Sequence, residues 1–332
     1  MASLITTIPD VIFPYELNQL VIASASDVGV KMVYADKTVL DTILSPYKGE
    51  IAIYNMATHI LDYVGNEMET LTIFLNDKAV KTVLILPNTL GVSDKASDCY
   101  HDIFLSRASS KYTHAAAKEL LHFVYNGETS GTIKAVVKKD GKVQVSEQQM
   151  AITLPDGIVT LDVSPSLLFS LENYELIEYT VMMGTRKMKY RMLPDGLADD
   201  IHEFGFINSY MQEEYITLMG EAERDMKIER RHAYVHGQLR NFHVEAFPHW
   251  SIKTYITDDM AGMFDDFVAA KDIWRKNDGC VLAITDAEDK TSSLKAAMNI
   301  GSITLREAGR IYLHRPVRPV KTFDETFDDT FQ

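Results

Sequence analysis

The sequence predicts a mainly β fold with three short α-helices, built as tandem β-sandwich- or barrel-like domains and followed by an extended C-terminal tail. Two observations predict the strands. Apolar and polar residues alternate over short runs, each cut by Gly, Pro or Asp. Paired runs also flank residues suited to tight turns, as in 132–146 around Asp140-Gly141. A third observation predicts the helices: the apolar period lengthens to that of a helix in three segments, each with a stop residue behind it.

The first unit, residues 1–95, combines strands with a helix over 55–64. Asn55 is the expected N-cap, Met56, Ile60, Tyr63 and Val64 share a face, and Gly65 is the stop. Pro87-Asn88-Thr89-Leu90-Gly91 breaks the pattern. The second unit, 96–195, opens with a helix over 113–125, striped by Ala116, Leu120 and Val124 and ended by Asn126-Gly127. Three hairpins follow. They pair 132–138 with 142–146, 151–154 with 158–163 across Pro155-Asp156-Gly157, and 174–182 with 186–193 across Met183-Gly184-Thr185. Pro194-Asp195-Gly196 leads into the third unit, 196–314. Its helix over 258–276 sets Met260, Phe264, Phe267 and Trp274 on or near one face. Thr257 is the expected cap, Asp258 and Asp259 suit the positive end of the dipole, and Asn277-Asp278-Gly279 ends it. Strands over 280–285, 302–307 and 311–314 complete the unit.

Composition narrows the function. The chain has 332 residues, 46% hydrophobic and 24% charged, as in ordinary globular proteins. A net charge of −14 disfavours general nucleic-acid binding. The basic stretch 224–240 is interleaved with Glu221, Glu223, Asp225 and Glu229, which reads as a solvated strand face. Two distant cysteines, Cys99 and Cys280, suggest neither a disulfide framework nor a zinc ribbon, and suit synthesis in a reducing cytoplasm. The N-terminus lacks a basic region and a long apolar run, so no signal peptide is expected. No stretch approaches the ~20 apolar residues of a membrane helix, so no membrane partner is expected.

No catalytic residue, cofactor site or metal site is assigned. His232 and His236 share a strand face with Tyr234, and His243 and His249 lie nearby, but His-Ala-Tyr-Val-His lacks the glutamate of a zinc-protease motif. Surface or interface histidines explain the cluster. Asp258-Asp259 reads as helix capping and Asp265-Asp266 as a solvated face. Asp286-Ala287-Glu288-Asp289 lacks a calcium-loop pattern and reads as a polar hairpin turn. The chain has no GxxxxGK, no GxGxxG after a strand and no GxSxG. Phe247, Trp250 and Tyr255 suggest either a stacking platform for a sugar or sheet aromatics, the latter being the better reading.

The tail, 315–332, has its own logic. Arg315-Pro316-Val317-Arg318-Pro319-Val320 is a doubled triplet, and Pro316 and Pro319 favour a stiff polyproline arm. Behind it, Phe323, Phe327 and Phe331 recur every fourth residue between acids. That spacing gives one apolar stripe on a strand, and nearly so on a helix. Thr, Asp and Phe are indifferent helix formers, which favours an extended form. The tail reads either as a docking peptide or as a frayed acidic terminus.

The whole chain resembles β-rich tail- or baseplate-type virion structural proteins of phages and prophages of gut bacteria. The resemblance is carried by Gly49-Glu50-Ile51-Ala52-Ile53-Tyr54-Asn55 and by Phe104-Leu105-Ser106-Arg107 with Lys111-Tyr112-Thr113 and Glu119-Leu120. It is carried also by Phe206-Ile207-Asn208-Ser209 leading to Glu214-Tyr215-Ile216-Thr217-Leu218, and by the terminal TFDETFDDTF. It implies a non-enzymatic subunit made in the bacterial cytoplasm and located in the tail region of a virion. The implied partners are other virion subunits, with homo-oligomers inside the larger assembly. Two other functions stay open: a host-glycan-binding, adhesin-like module centred on Trp250, and a hydrolase of surface polymers.

Overall fold

The computed structural model describes residues 2–89, 95–125, 127, 130–151, 156–169, 174–194, 200–290 and 298–307. It is mainly β, as the sequence predicts, with five sheets among the described residues. Two lie before residue 90. Strands Ser3–Leu4, Gln19–Ala23 and Glu50–Tyr54 form one, and Val11–Ile12, Lys78–Ile85, Glu69–Leu75, Val28–Tyr34 and Lys37–Leu44 form the other in that order. Val28–Tyr34 alternates strictly between buried and half-buried residues. Val30 and Met32 of that strand share a core with Leu20 and Ile22 of the other sheet, which makes this a small sandwich. Two hairpins turn on paired left-handed residues, Ala35-Asp36 and Asn76-Asp77, and the Asn76 side chain accepts a bond from the Gly29 N–H.

The middle stretch holds a five-stranded sheet in the order Lys142–Ala151, Ser130–Lys139, Glu175–Met183, Arg186–Met192, Ser110–Thr113, and a two-stranded one, Leu120–Tyr125 with Gly157–Asp162. The Asp140-Gly141 and Gly184-Thr185 hairpins form as the sequence predicts. Of the partner expected for 158–163, residues 151–154, Ala151 ends strand Lys142–Ala151 and 152–154 lie outside the described residues. Here Gly157–Asp162 pairs with Leu120–Tyr125, Leu121 opposite Leu161.

The helix expected over 113–125 is therefore a correction. Ala116, Leu120 and Val124 are four apart, an even spacing that falls on one face of a strand as readily as of a helix. Leu121, His122, Phe123 and Val124 are all buried, so both faces of this strand are covered. The 55–64 segment forms two 3-10 turns, Met56–His59 and Leu61–Tyr63. Asn55 sits in the left-handed region and makes no side-chain cap. The α-helices among the described residues are α1 (Ala96–His101), α2 (Pro165–Leu168) and α3 (Asp258–Ala269). Helix α3 ends seven residues before the expected end at residue 276. Ala270 turns extended, and Trp274 belongs to strand Ile273–Arg275. Thr257 precedes α3 without capping it through its side chain.

The C-terminal sheet has seven strands in the order Glu213–Met219, Ile201–Ile207, Ile273–Arg275, Val281–Lys290, Met298–Glu307, Gln238–Thr257, Ala222–Val235. The acidic segment 286–289 lies inside a strand rather than in the expected turn. Gly220 is where the chain crosses from one edge to the other. A Cβ there would stand 1.7 Å from the Lys253 carbonyl oxygen, so no side chain fits. The sheets divide by sequence, but the core does not. Phe104, Phe123, Tyr179 and Tyr190 share one buried cluster with Phe204, Phe206, Phe264, Phe267 and Ile303. A smaller cluster joins Phe13, Leu86, Cys99, Leu105, Val124 and Tyr210, drawn from all three stretches.

Candidate functional site

Two features stand out: a buried polar seam between the middle and C-terminal sheets, and a ribbon that leaves the C-terminal sheet. The seam begins at Lys111 on strand Ser110–Thr113. Its Nζ lies 2.6 Å from Glu214 Oε1 and 3.9 Å from Glu119 Oε2, and all three residues are about 1% exposed. Glu214 also accepts from Ser106 Oγ at 2.6 Å and from Asn208 Nδ2 at 2.8 Å. Burial would raise the Glu214 carboxyl, but Lys111, Ser106 and Asn208 together hold it below the ordinary carboxylate range. Burial pushes Glu119 up to about 8, against the weaker pull of the more distant Lys111. The seam therefore holds one cation, one carboxylate and one neutral acid, a combination without net charge. Glu203 Oε2 lies 3.0 Å from His114 Nε2 and accepts from Lys276 Nζ at 2.8 Å.

Asp266 corrects the expected solvated face of α3. Its side chain is fully buried, accepts from Ser209 N and Oγ, and pairs with Arg107 Nη1 at 2.9 Å. Burial raises its carboxyl, partly offset by Ser209 and Arg107. Asp265 beside it is exposed. Asp259 pairs with Arg191 at 3.3 Å. Because these carboxylates are taken up by fixed partners, the seam reads as a lock between sheets. Sequence pattern gave no signal for Lys111, Glu214 or Asp266, since charged residues are expected outside.

The proposed stacking platform is not brought together. Trp250 lies on the buried face of its strand with Ile252, Thr254 and Ile256, whereas Tyr255, five residues on, faces outward. The Phe247 side chain lies outside the described residues. Arg224, opposite Trp250 in the register, sits 5.4 Å from the indole centroid, and Arg275 sits 5.5 Å from it. Trp250 also lines a cavity with His202, Glu203 and Asn277, but its volume is about 80 Å³. Small-molecule pockets span roughly 300–1,000 Å³. His236 occupies a turn with Gly237, both left-handed, and so does not continue the strand face of His232. Among the described residues no group of three His, Cys, Asp or Glu side chains is placed to hold a metal. Phe323, Phe327, Phe331, Pro316 and Pro319, and the strand expected over 311–314, lie outside the described residues.

The ribbon consists of Ala222–Val235 and Gln238–Thr257, paired from Ala222↔Ile252 to Val235↔Gln238. Strand Met298–Glu307 covers its base only, from Thr257 to His249. Pro248, which has no N–H to offer a third strand, stands where that cover stops. Beyond it, among the described residues, two strands continue alone for roughly 30 Å. Met226, Ile228, Tyr234 and Leu239 are exposed along it.

No protein-family model matches the chain. No curated protein matches it either. Among solved structures, the crystal structure of calcium-binding domain CBD12 of CALX1.1 aligns with 60% of this chain and 84% of that one, at 13% identity and a TM-score of 0.19. At that score the likeness carries no argument. No catalytic family is identified, and no helix among the described residues is long and apolar enough to cross a membrane.

Proposed function

We propose that the chain is a non-enzymatic structural subunit of a phage tail or baseplate-like assembly. The ribbon carries this reading. A lone two-stranded hairpin is at best marginally stable in water, and this one also exposes Met226, Ile228, Tyr234 and Leu239. A neighbouring subunit that covers the ribbon supplies cover that the described residues do not give. The buried seam supports the same reading, because it spends its titratable groups on fixing one sheet against another. The terminal Phe323, Phe327 and Phe331 are the second proposed contact. Extended behind Pro316 and Pro319, they reach a neighbour's pockets or sheet edge, each ring contributing on the order of 1.5–3 kcal/mol before ordering costs.

Two variants test the proposal in the phage-producing culture. One lacks residues 321–332, and the other replaces 231–243 with an Asn-Gly turn, so that the paired Arg230 and Val244 flank it. Both are expected to fold and to enter particles poorly. Normal incorporation of both would refute the proposal.

A further inference from the structure

We infer that a second copy of this chain pairs with the free outer edge of strand Ala222–Val235, antiparallel, about a two-fold axis at Ile228. This rests on the reading of the chain as an assembly subunit and names one of its partners. The strand is the last of the seven-stranded sheet, so one side of its backbone has no strand partner among the described residues. It runs for 14 residues without proline. Protein edges are commonly kept short or broken by proline, because a long open edge invites another strand.

The order of charges says which strand fits. Positions alternate along a strand, so 223, 225, 227, 229 and 231 belong to one face, and 224, 226, 228 and 230 to the other. A two-fold axis perpendicular to a continuous sheet maps each face onto itself. Residues can then meet only partners from their own face. With Ile228 on the axis, Lys227 stands opposite Glu229 and Asp225 opposite Arg231, and symmetry repeats both pairs. Moving the axis to Lys227 sets Lys227 against itself, Asp225 against Glu229 and Arg224 against Arg230, which outweigh the one favourable pair, Glu223 with Arg231. Moving it to Glu229 sets Glu229 against itself and Lys227 against Arg231. Opposite charges directly across a pair stabilise it and like charges destabilise it. The sequence is thus self-complementary in one register and self-repelling in the adjacent two. The pairing joins the seven-stranded sheets of two protomers into one.

Sedimentation equilibrium of the full chain from about 1 to 100 µM tests this. A monomer–dimer equilibrium is expected. Arg231→Asp sets a carboxylate against Asp225 at two symmetric places and should raise the dimer Kd about tenfold or more. Asp225→Arg should act likewise, and the double variant D225R/R231D should return the Kd to near the original. Asp225 and Arg231 are exposed, so matching thermal melts of all variants verify that folding is intact. A monomer throughout the range, or a dimer indifferent to both single reversals, would overturn the inference. If such a chain still enters particles at a fixed ratio, the pairing falls while the subunit reading stands.

Discussion

Lys111 stands between two carboxylates with room for one charge. It lies closer to Glu214, and Glu119 is the acid that stays neutral. Below pH ~4.5 Glu119 is protonated in both the folded and the unfolded chain and costs nothing. As pH rises toward about 8 the unfolded chain releases that proton while the folded chain keeps it, so stability falls. Glu119→Gln should therefore raise the melting temperature at pH 8 to 9, with the gain shrinking toward pH ~4.5. A gain that grows on acidification would contradict the assignment. Lys111→Met leaves the buried Glu214 charge unpaired and should cost roughly 3–5 kcal/mol at neutral pH in chemical denaturation. Glu214 is held low, so its contribution is present at neutral pH and disappears on acidification. None of this is legible in the sequence. Lys111, Glu119 and Glu214 look like surface residues until the fold closes around them.

At the scale of elements, the crossing at Gly220 gives the sharpest expectation. Gly220→Ala drives a methyl into the Lys253 carbonyl and should destabilise by roughly 2 kcal/mol or more, read from a denaturant midpoint. Elements marked by turn chemistry were legible: Asp140-Gly141 and Gly184-Thr185 make hairpins because their backbones adopt what those turns need. The residues that start helix α3, Asp258 and Asp259, were legible too. Spacing of four was not decisive, because it fits both periods. Burial on both faces made 120–125 a strand, which only its partner Gly157–Asp162 and the packed core reveal. The same ambiguity covers Trp250 and Tyr255. Five residues apart in an unbroken register, they part to opposite faces, which no reading of aromatic content could foresee.

At the scale of the molecule, the sequence divides into units more cleanly than the packing does. A single apolar cluster runs from Phe104 to Leu305, and the polar seam crosses the same boundary. The middle and C-terminal sheets should therefore melt in one calorimetric transition. Two separated transitions within this part would show that the shared core does not couple them. The ribbon extends from one edge of this shared core. The most direct measurement is quantitative mass spectrometry of purified particles from the source culture. If the chain is a virion subunit, it is present at a fixed ratio to the major capsid protein; its absence from particles would refute that role.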